Sequence, residues 1–332
     1  MIVSWMTTNR CNLKCSHCYQ DAGDCRENEL TTDEGKRLID GIARAGFKIM
    51  IFSGGEPLMR ADIFELVQYA ADKGLRPVFG TNGTLIDADT ALRLQHAGAA
   101  SMGISLDSLD VARHDAFRGM AGAWQQAVDG MANCRAAGLN FQIHMTVMDW
   151  NKSEVGDIID FAVQAGADAV YLFFLIPVGR GVYIEDTAVE VMEYEELLRS
   201  IMEKQRQVSI PIKPTCAPQF TRVAKQLGVD LDPRFSRGCL AGLTYCIISP
   251  VGQVRPCAYM TEVAGDVHQQ PFDEIWRDSE VFARLRTQAY SGVCGRCGYK
   301  DICGGCRARA AYYNDGDVLA EDKYCAFGRG LL

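Results

Sequence analysis

Cysteines dominate the chemistry open to this chain. Three stand within eight residues, Cys11, Cys15 and Cys18 in "TTNRCNLKCSHCYQ", and nine more lie between Cys216 and Cys325. Of the fourteen, only Cys25 and Cys134 fall elsewhere. The C-x3-C-x2-C spacing of the first group lets three thiolates ligate three irons of one cubane cluster, leaving the fourth iron to an outside ligand. A zinc ion completed by a distant fourth cysteine is the alternative. Downstream, Cys294, Cys297, Cys303 and Cys306 form C-x2-C-x5-C-x2-C, preceded by Cys239, Cys246 and Cys257 and followed by Cys325. Eight thiolates are enough for two four-ligand sites, holding either iron–sulfur clusters or zinc; a ligand left unused would leave an open iron able to bind substrate directly. Cys216, in "IKPTCAPQFTRVA", belongs to neither quartet. It is either an inert buried thiol or a thiol in a cleft that exchanges a hydrogen atom or ligates an iron.

The elements that must position these residues are legible in the apolar pattern. Short β-rich runs at 1–6, 48–52, 76–79, 101–106, 141–148 and 169–176 alternate with amphipathic helical segments at 31–46, 62–73, 87–98, 122–137 and 153–166. Thr31 and Glu34 have capping-box spacing at the start of the first helix. Six strands, each followed by a helix, predict an α/β fold with a parallel sheet and right-handed crossovers, a partial (β/α)6 barrel rather than a closed one. Reactive groups then gather at the C-terminal ends of the strands. A further helix fits 192–207. After it the prolines of "SIPIKPTCAPQF" break regular structure, so the division is a barrel at 1–210, a linker at 211–238 and a small cysteine-rich, metal-held domain at 239–332. That domain contains one helix, at 272–288, and a hairpin turn at Gly252 that returns the chain to Cys257. The net charge of −8 argues against a nucleic-acid surface. No apolar run is long enough for a membrane span, and the polar N-terminus lacks a signal peptide. Cytoplasmic residence is the expectation, and there short-spaced thiols mean metal rather than disulfides.

The first triad, together with "FSGGEPL" at 52–58, "GTNGTL" at 80–85, "SLDS" at 105–108 and "HDAFRG" at 114–119, resembles the radical S-adenosylmethionine superfamily. The resemblance covers about 1–210. It implies a [4Fe-4S] cluster on Cys11, Cys15 and Cys18, with S-adenosylmethionine as the outside ligand. Glu56 and the carbonyls of Gly54 and Gly55, next to Pro57, are implied for the methionine amino group. Asn82 falls among the further cofactor contacts, Ser105 and Arg118 suit the carboxylate, and Asn151 the ribose. His17 precedes the third cysteine, where a ring could pack on the adenine. Read alone, Gly54-Gly55 is an ordinary turn, Ser105 a strand-end cap, Arg118 a surface ion pair and His17 a packed ring. The C-terminal cysteines resemble the SPASM auxiliary-cluster domain, with the Cys303–Cys306 pair one residue tighter than its pattern. That resemblance implies one or two auxiliary [4Fe-4S] clusters, one on Cys239, Cys246, Cys257 and Cys306 and the other on Cys294, Cys297, Cys303 and Cys325.

"SWMTTNRCNLKCSHCYQDAG", "PTCAPQF", "RGCLAG" and "ICGGCRARA" are similar to the tetrapyrrole side-chain enzymes of heme d1 synthesis and the siroheme-dependent heme route. The resemblance implies a siroheme-derived macrocycle as substrate, removal or oxidation of its carboxylate arms, and a reductant such as flavodoxin or ferredoxin. Arg180, Lys213 and Arg222 are either carboxylate partners at the barrel mouth or a solvated face. Two other readings remain. One is a peptide- or protein-modifying radical enzyme of the thioether-forming or sulfatase-maturase type. The other is a non-enzymatic electron carrier or zinc module.

Overall fold

The computed structural model covers residues 1–332. Its first two thirds run β1 (Ile2–Met6), α1 (Thr32–Arg44), β2 (Ile49–Ser53), α2 (Ile63–Asp72), β3 (Arg76–Thr81), α3 (Ala88–His96), β4 (Ser101–Ser105), α4 (Val111–Arg118), α5 (Ala123–Ala136), β5 (Phe141–Val147), α6 (Val155–Ala165), β6 (Val170–Phe174), α7 (Val191–Gln205), β7 (Ile212–Thr215) and α8 (Phe220–Leu227). Then come β8 (Tyr245–Ile248), β9 (Gln253–Arg255), β10 (Gly265–Asp266), α9 (Phe272–Asp278), α10 (Glu280–Arg286), α11 (Gly292–Arg296) and α12 (Arg307–Tyr313). The capping box of α1 forms as its sequence predicts, with the Thr31 and Glu34 side chains reciprocally bonded to backbone N–H groups.

Strands β1 to β7 pair in sequence order, all parallel, and the sheet stays open because β7 and β10 are its two edges. It is therefore a partial barrel, with one strand more than the six expected. The extra strand, β7, lies in the stretch read as a proline-broken linker. Pro214 is tolerated there because β7 pairs only with β6, so one side of the strand has no ladder to donate to. The linker also contains α8, and α4 was not anticipated.

The cysteine-rich part joins the same sheet as the barrel. β8 pairs in parallel with β1, Ile2 opposite Tyr245 and Trp5 opposite Ile248. β9 returns antiparallel to β8 through a turn in which Gly252 has φ +85°, the hairpin that Gly252 predicts. The single helix expected at 272–288 breaks at Ser279, which is extended, into α9 and α10.

One large core lies between the sheet and its helices. Phe52, Phe79, Ile104, Ile143, Leu172 and Phe174 point into it and are almost fully buried. The alternate residues, among them Gly80, Ser105, His144, Thr146, Tyr171 and Phe173, line the concave face and are only half-buried. Gly35, inside α1, leaves room for the Trp5 indole, whose ring carbon would stand 2.6 Å from a Cβ there.

Candidate active site

The Cys11–Cys18 loop follows β1 at the C-terminal end of the sheet. Cys15 is buried, and Cys11 and Cys18 are half-buried. Two sulfurs accept backbone N–H groups, Cys11 from Leu13 and Cys18 from Ala22, both at 3.4 Å. Burial pushes the Cys11 thiol up to about 11. It also raises Cys15, against the pull of Arg118. A metal that supplies positive charge favours the thiolate form of these two desolvated sulfurs.

The Gly54-Gly55 pair lies directly on this loop. A Cβ on Gly54, whose φ is +139°, would fall 2.5 Å from the Thr8 carbonyl, and one on Gly55 would fall 2.2 Å from that of Arg10. The backbones are joined by Gly55 N to Thr8 O at 2.8 Å and Glu56 N to Arg10 O at 2.7 Å. This is a close approach that only glycine permits, not an ordinary turn.

Glu56 is braced within the chain. Its carboxylate is fully buried and accepts from Thr81 Oγ1 (2.8 Å), Asn82 N (2.9 Å) and Leu58 N (3.1 Å). Burial raises it to about 7. Its contacts are all within the chain, so it ties β2 to the end of β3. Pro57 follows it as the first residue of a 3-10 turn. Asn82 donates to Asn12 at 2.8 Å, bracing the triad loop. Ser105 ends β4 and donates to the Thr81 carbonyl at 3.3 Å.

Arg118 is no surface residue. It is buried, donates to Asp107 at 2.6 Å and reaches Cys15 Sγ at 3.9 Å. Burial works against ionising Asp107, but the guanidinium holds it below the usual carboxylate range. His17 stacks on Phe117, centroids 4.3 Å apart, with a buried Nδ1 that has no partner. Burial pushes it down to about 3, so the ring is neutral. Asn151 braces the backbone beyond β5. It is fully buried, donates to the carbonyls of Asp107 and Thr146 and accepts from Met148 N. It fixes the turn after β5.

The downstream cysteines form two groups, one with the expected membership and the other without Cys246. Cys294, Cys297, Cys303 and Cys325 line one recess with Tyr299 and Lys300. Each sulfur accepts a backbone N–H, from Asp322, Tyr299, Gly305 and Gly328 respectively. Cys239, Cys257 and Cys306 make the other group, packed on one small core that also contains Cys216. Cys246 is not there. It is fully buried in the main core on β8. Between the groups sits Asp322, which accepts from Cys306 N at 2.8 Å and pairs with Arg309. Tyr19, beside the triad, meets Tyr259, near Cys257, with centroids 5.3 Å apart.

Residues 5–162 match the radical SAM superfamily model, and residues 239–298 match an iron-sulfur cluster-binding domain, SPASM. The chain is 43% identical to the AdoMet-dependent heme synthase of Nitratidesulfovibrio vulgaris, over 98% of this chain and 92% of that one. It is 41% identical to the AdoMet-dependent heme synthase of Methanosarcina barkeri, over 99% and 97%. The chain is a radical S-adenosylmethionine enzyme with a SPASM domain. Among solved structures, Streptococcus suis SuiB bound to its precursor peptide SuiA has the same fold, with a TM-score of 0.79 at 18% identity, covering 98% of this chain and 75% of that one.

A radical S-adenosylmethionine enzyme of this kind carries a [4Fe-4S] cluster that binds S-adenosylmethionine, and auxiliary clusters in its SPASM domain. The residues fit that load. The sulfurs of the triad and of the Cys294 group are ringed by N–H donors, the usual surroundings of cluster thiolates. Around Cys306, the buried Arg309 keeps an Nη1 without a partner.

Two of the enzyme's expected carboxylate partners are committed elsewhere. Arg180 donates to the carbonyls of Cys15 (2.9 Å) and Ala22 (2.8 Å) and pairs with Asp21, so it clamps the triad loop. Arg222 is buried in a bidentate pair with Glu195. Lys213, on the concave side of β7, donates to the Arg237 carbonyl at 3.1 Å. It is largely buried over the Phe220 and Phe235 rings, and desolvation pushes it down to about 8. His144 went unremarked in the sequence. It lies on Gly103, where a Cβ would fall 2.3 Å from its ring, and its Nε2 is buried and unpartnered. The signal was a glycine inside a predicted strand, which marks a close approach.

Proposed function

We propose that this enzyme removes or oxidises carboxylate side chains of a siroheme-derived tetrapyrrole in heme or heme d1 synthesis, with heme as the expected product. The observation that carries the substrate class is the near full-length identity to two heme synthases. In this reading Cys11, Cys15 and Cys18 hold the first cluster, while Ser105 and Arg118 flank the methionine end of the cofactor. The carbonyls of Gly54 and Gly55 serve its amino group. Glu56, Asn82 and Asn151 act through the backbone they brace. When bound and reduced, the cluster with S-adenosylmethionine supplies a 5′-deoxyadenosyl radical, which removes a hydrogen atom from carbon.

The chain's own part is to hold the macrocycle and keep water from it. The concave face suits that task. Tyr171 and Phe173 offer flat apolar area, and Lys213 offers a cation whose low hydration favours pairing with a substrate carboxylate. The neutral His144 ring offers a donor or an acceptor. Residues 1–210 serve as the radical barrel and 239–332 as the auxiliary-cluster region. A flavodoxin or ferredoxin is the reductant, and the enzyme works in the cytoplasm. No helix is long and apolar enough to cross a membrane.

The test is anaerobic turnover of the reconstituted enzyme with reductant, S-adenosylmethionine and didecarboxysiroheme, followed by mass spectrometry. The expected result is 5′-deoxyadenosine together with a tetrapyrrole of changed mass. A precursor peptide in its place should stay unmodified. Deoxyadenosine formation with no change in any siroheme derivative would refute the substrate class.

A further inference from the structure

The resemblance to the SPASM domain implies Cys246 in the same cluster as Cys239, Cys257 and Cys306. The fold separates it from them. Side chains alternate along β8. Tyr245 lies close enough to Cys257 and Tyr19 to feel their charge, so its neighbour Cys246 points to the opposite face. There it sits in the main core, in register with Val3 and fully buried. Its one charged neighbour is Arg286, and no N–H is directed at its sulfur.

Cys216 takes the vacated place. It ends β7 with φ +60°, a left-handed conformation uncommon for a residue with a side chain and often retained at functional sites. It packs on the same small core as Cys239, Cys257 and Cys306. Independently, Arg309 is 1% exposed and is held by Asp322, which also accepts from Cys306 N, yet it keeps an unpartnered Nη1. A buried N–H without an acceptor calls for one at that spot.

We propose that Cys216, and not Cys246, is the fourth thiolate of the auxiliary cluster held by Cys239, Cys257 and Cys306. One ligand of that cluster then comes from the end of a barrel strand, so the cluster borders the concave face where the substrate is expected. Cys246 is a small apolar residue of the core.

The test uses full-length, anaerobically reconstituted protein without substrate, read by iron content and by low-temperature electron paramagnetic resonance after reduction. Cys216→Ala is expected to lose about four iron atoms per chain or to shift one auxiliary signal. Cys216→Ser, which offers an oxygen ligand, should shift the same signal. Cys246→Ala should keep its iron and every signal, and Cys246→Val, which leaves a smaller void, guards against a loss caused by a cavity. Unchanged iron and spectra in both Cys216 variants, or an altered auxiliary signal in both Cys246 variants, overturns the assignment. The inference rests on the domain holding iron–sulfur clusters. An unsubstituted protein with no auxiliary iron would sink that reading, whereas iron insensitive to Cys216 sinks only this ligand.

Discussion

Arg118 and Asp107 are both buried and meet at 2.6 Å beside Cys15. Removing one partner leaves the other as an unpaired buried charge. Arg118→Gln should therefore lower stability by about 3–5 kcal/mol, read by anaerobic denaturant unfolding, and should weaken iron retention at the triad. The histidines set the pH response. Burial pushes His114 and His144 each down to about 4. Between the ordinary histidine value and that one, the unfolded chain binds protons that the folded chain refuses. Stability should thus fall as pH drops from about 6.5 toward 4, by about 1.4 kcal/mol per pH unit for each such histidine. Glu56, raised to about 7 by burial, acts in the opposite sense, losing stability as pH rises from about 4.5 to 7. His144→Gln should flatten the combined slope by one proton's worth, measured by unfolding at a series of pH values. No sequence pattern exposes these environments. The triad was legible because its three ligands are neighbours in the chain. The contact of Arg118 with Cys15 was not legible, because α4 brings together residues far apart in the chain.

At the scale of elements, the contact between β2 and the triad loop is the feature most sensitive to substitution. Gly55→Ala would drive a methyl group into the Arg10 carbonyl, where 2.2 Å separates the positions. The expected outcome is loss of about four irons per chain and of deoxyadenosine formation, with the far-ultraviolet circular dichroism unchanged. A Gly55→Ala protein with full iron would show that the loop can move aside. Most helices and strands of the first two thirds could be read from apolar period because they contain a clear stripe or alternation, whereas the largely polar α4 could not. β7 could not, since Pro211 and Pro214 look like breakers until its edge position is known. The exchange of Cys246 for Cys216 was hidden for a related reason. Spacing along the chain says nothing about which face of β8 a residue takes, nor that the end of β7 lies beside Cys306.

The whole molecule is organised by one sheet rather than by two bodies. β8, from the cysteine-rich part, is a neighbour of β1, so a chain cut after residue 238 would bare one edge of β1 along Ile2–Trp5. Such a truncation should aggregate or elute as large species in size-exclusion chromatography rather than fold as an independent barrel; a monodisperse, well-folded fragment would contradict this. The same pairing dictates an order of events during synthesis. β1 leaves the ribosome first, and β2 can join it early, but its other neighbour is not made until Tyr245 and the residues after it emerge. For most of translation the opening strand must wait with one side unsatisfied. A contact this distant in sequence is slow to close, which makes the nascent chain a client for chaperones until its last third arrives.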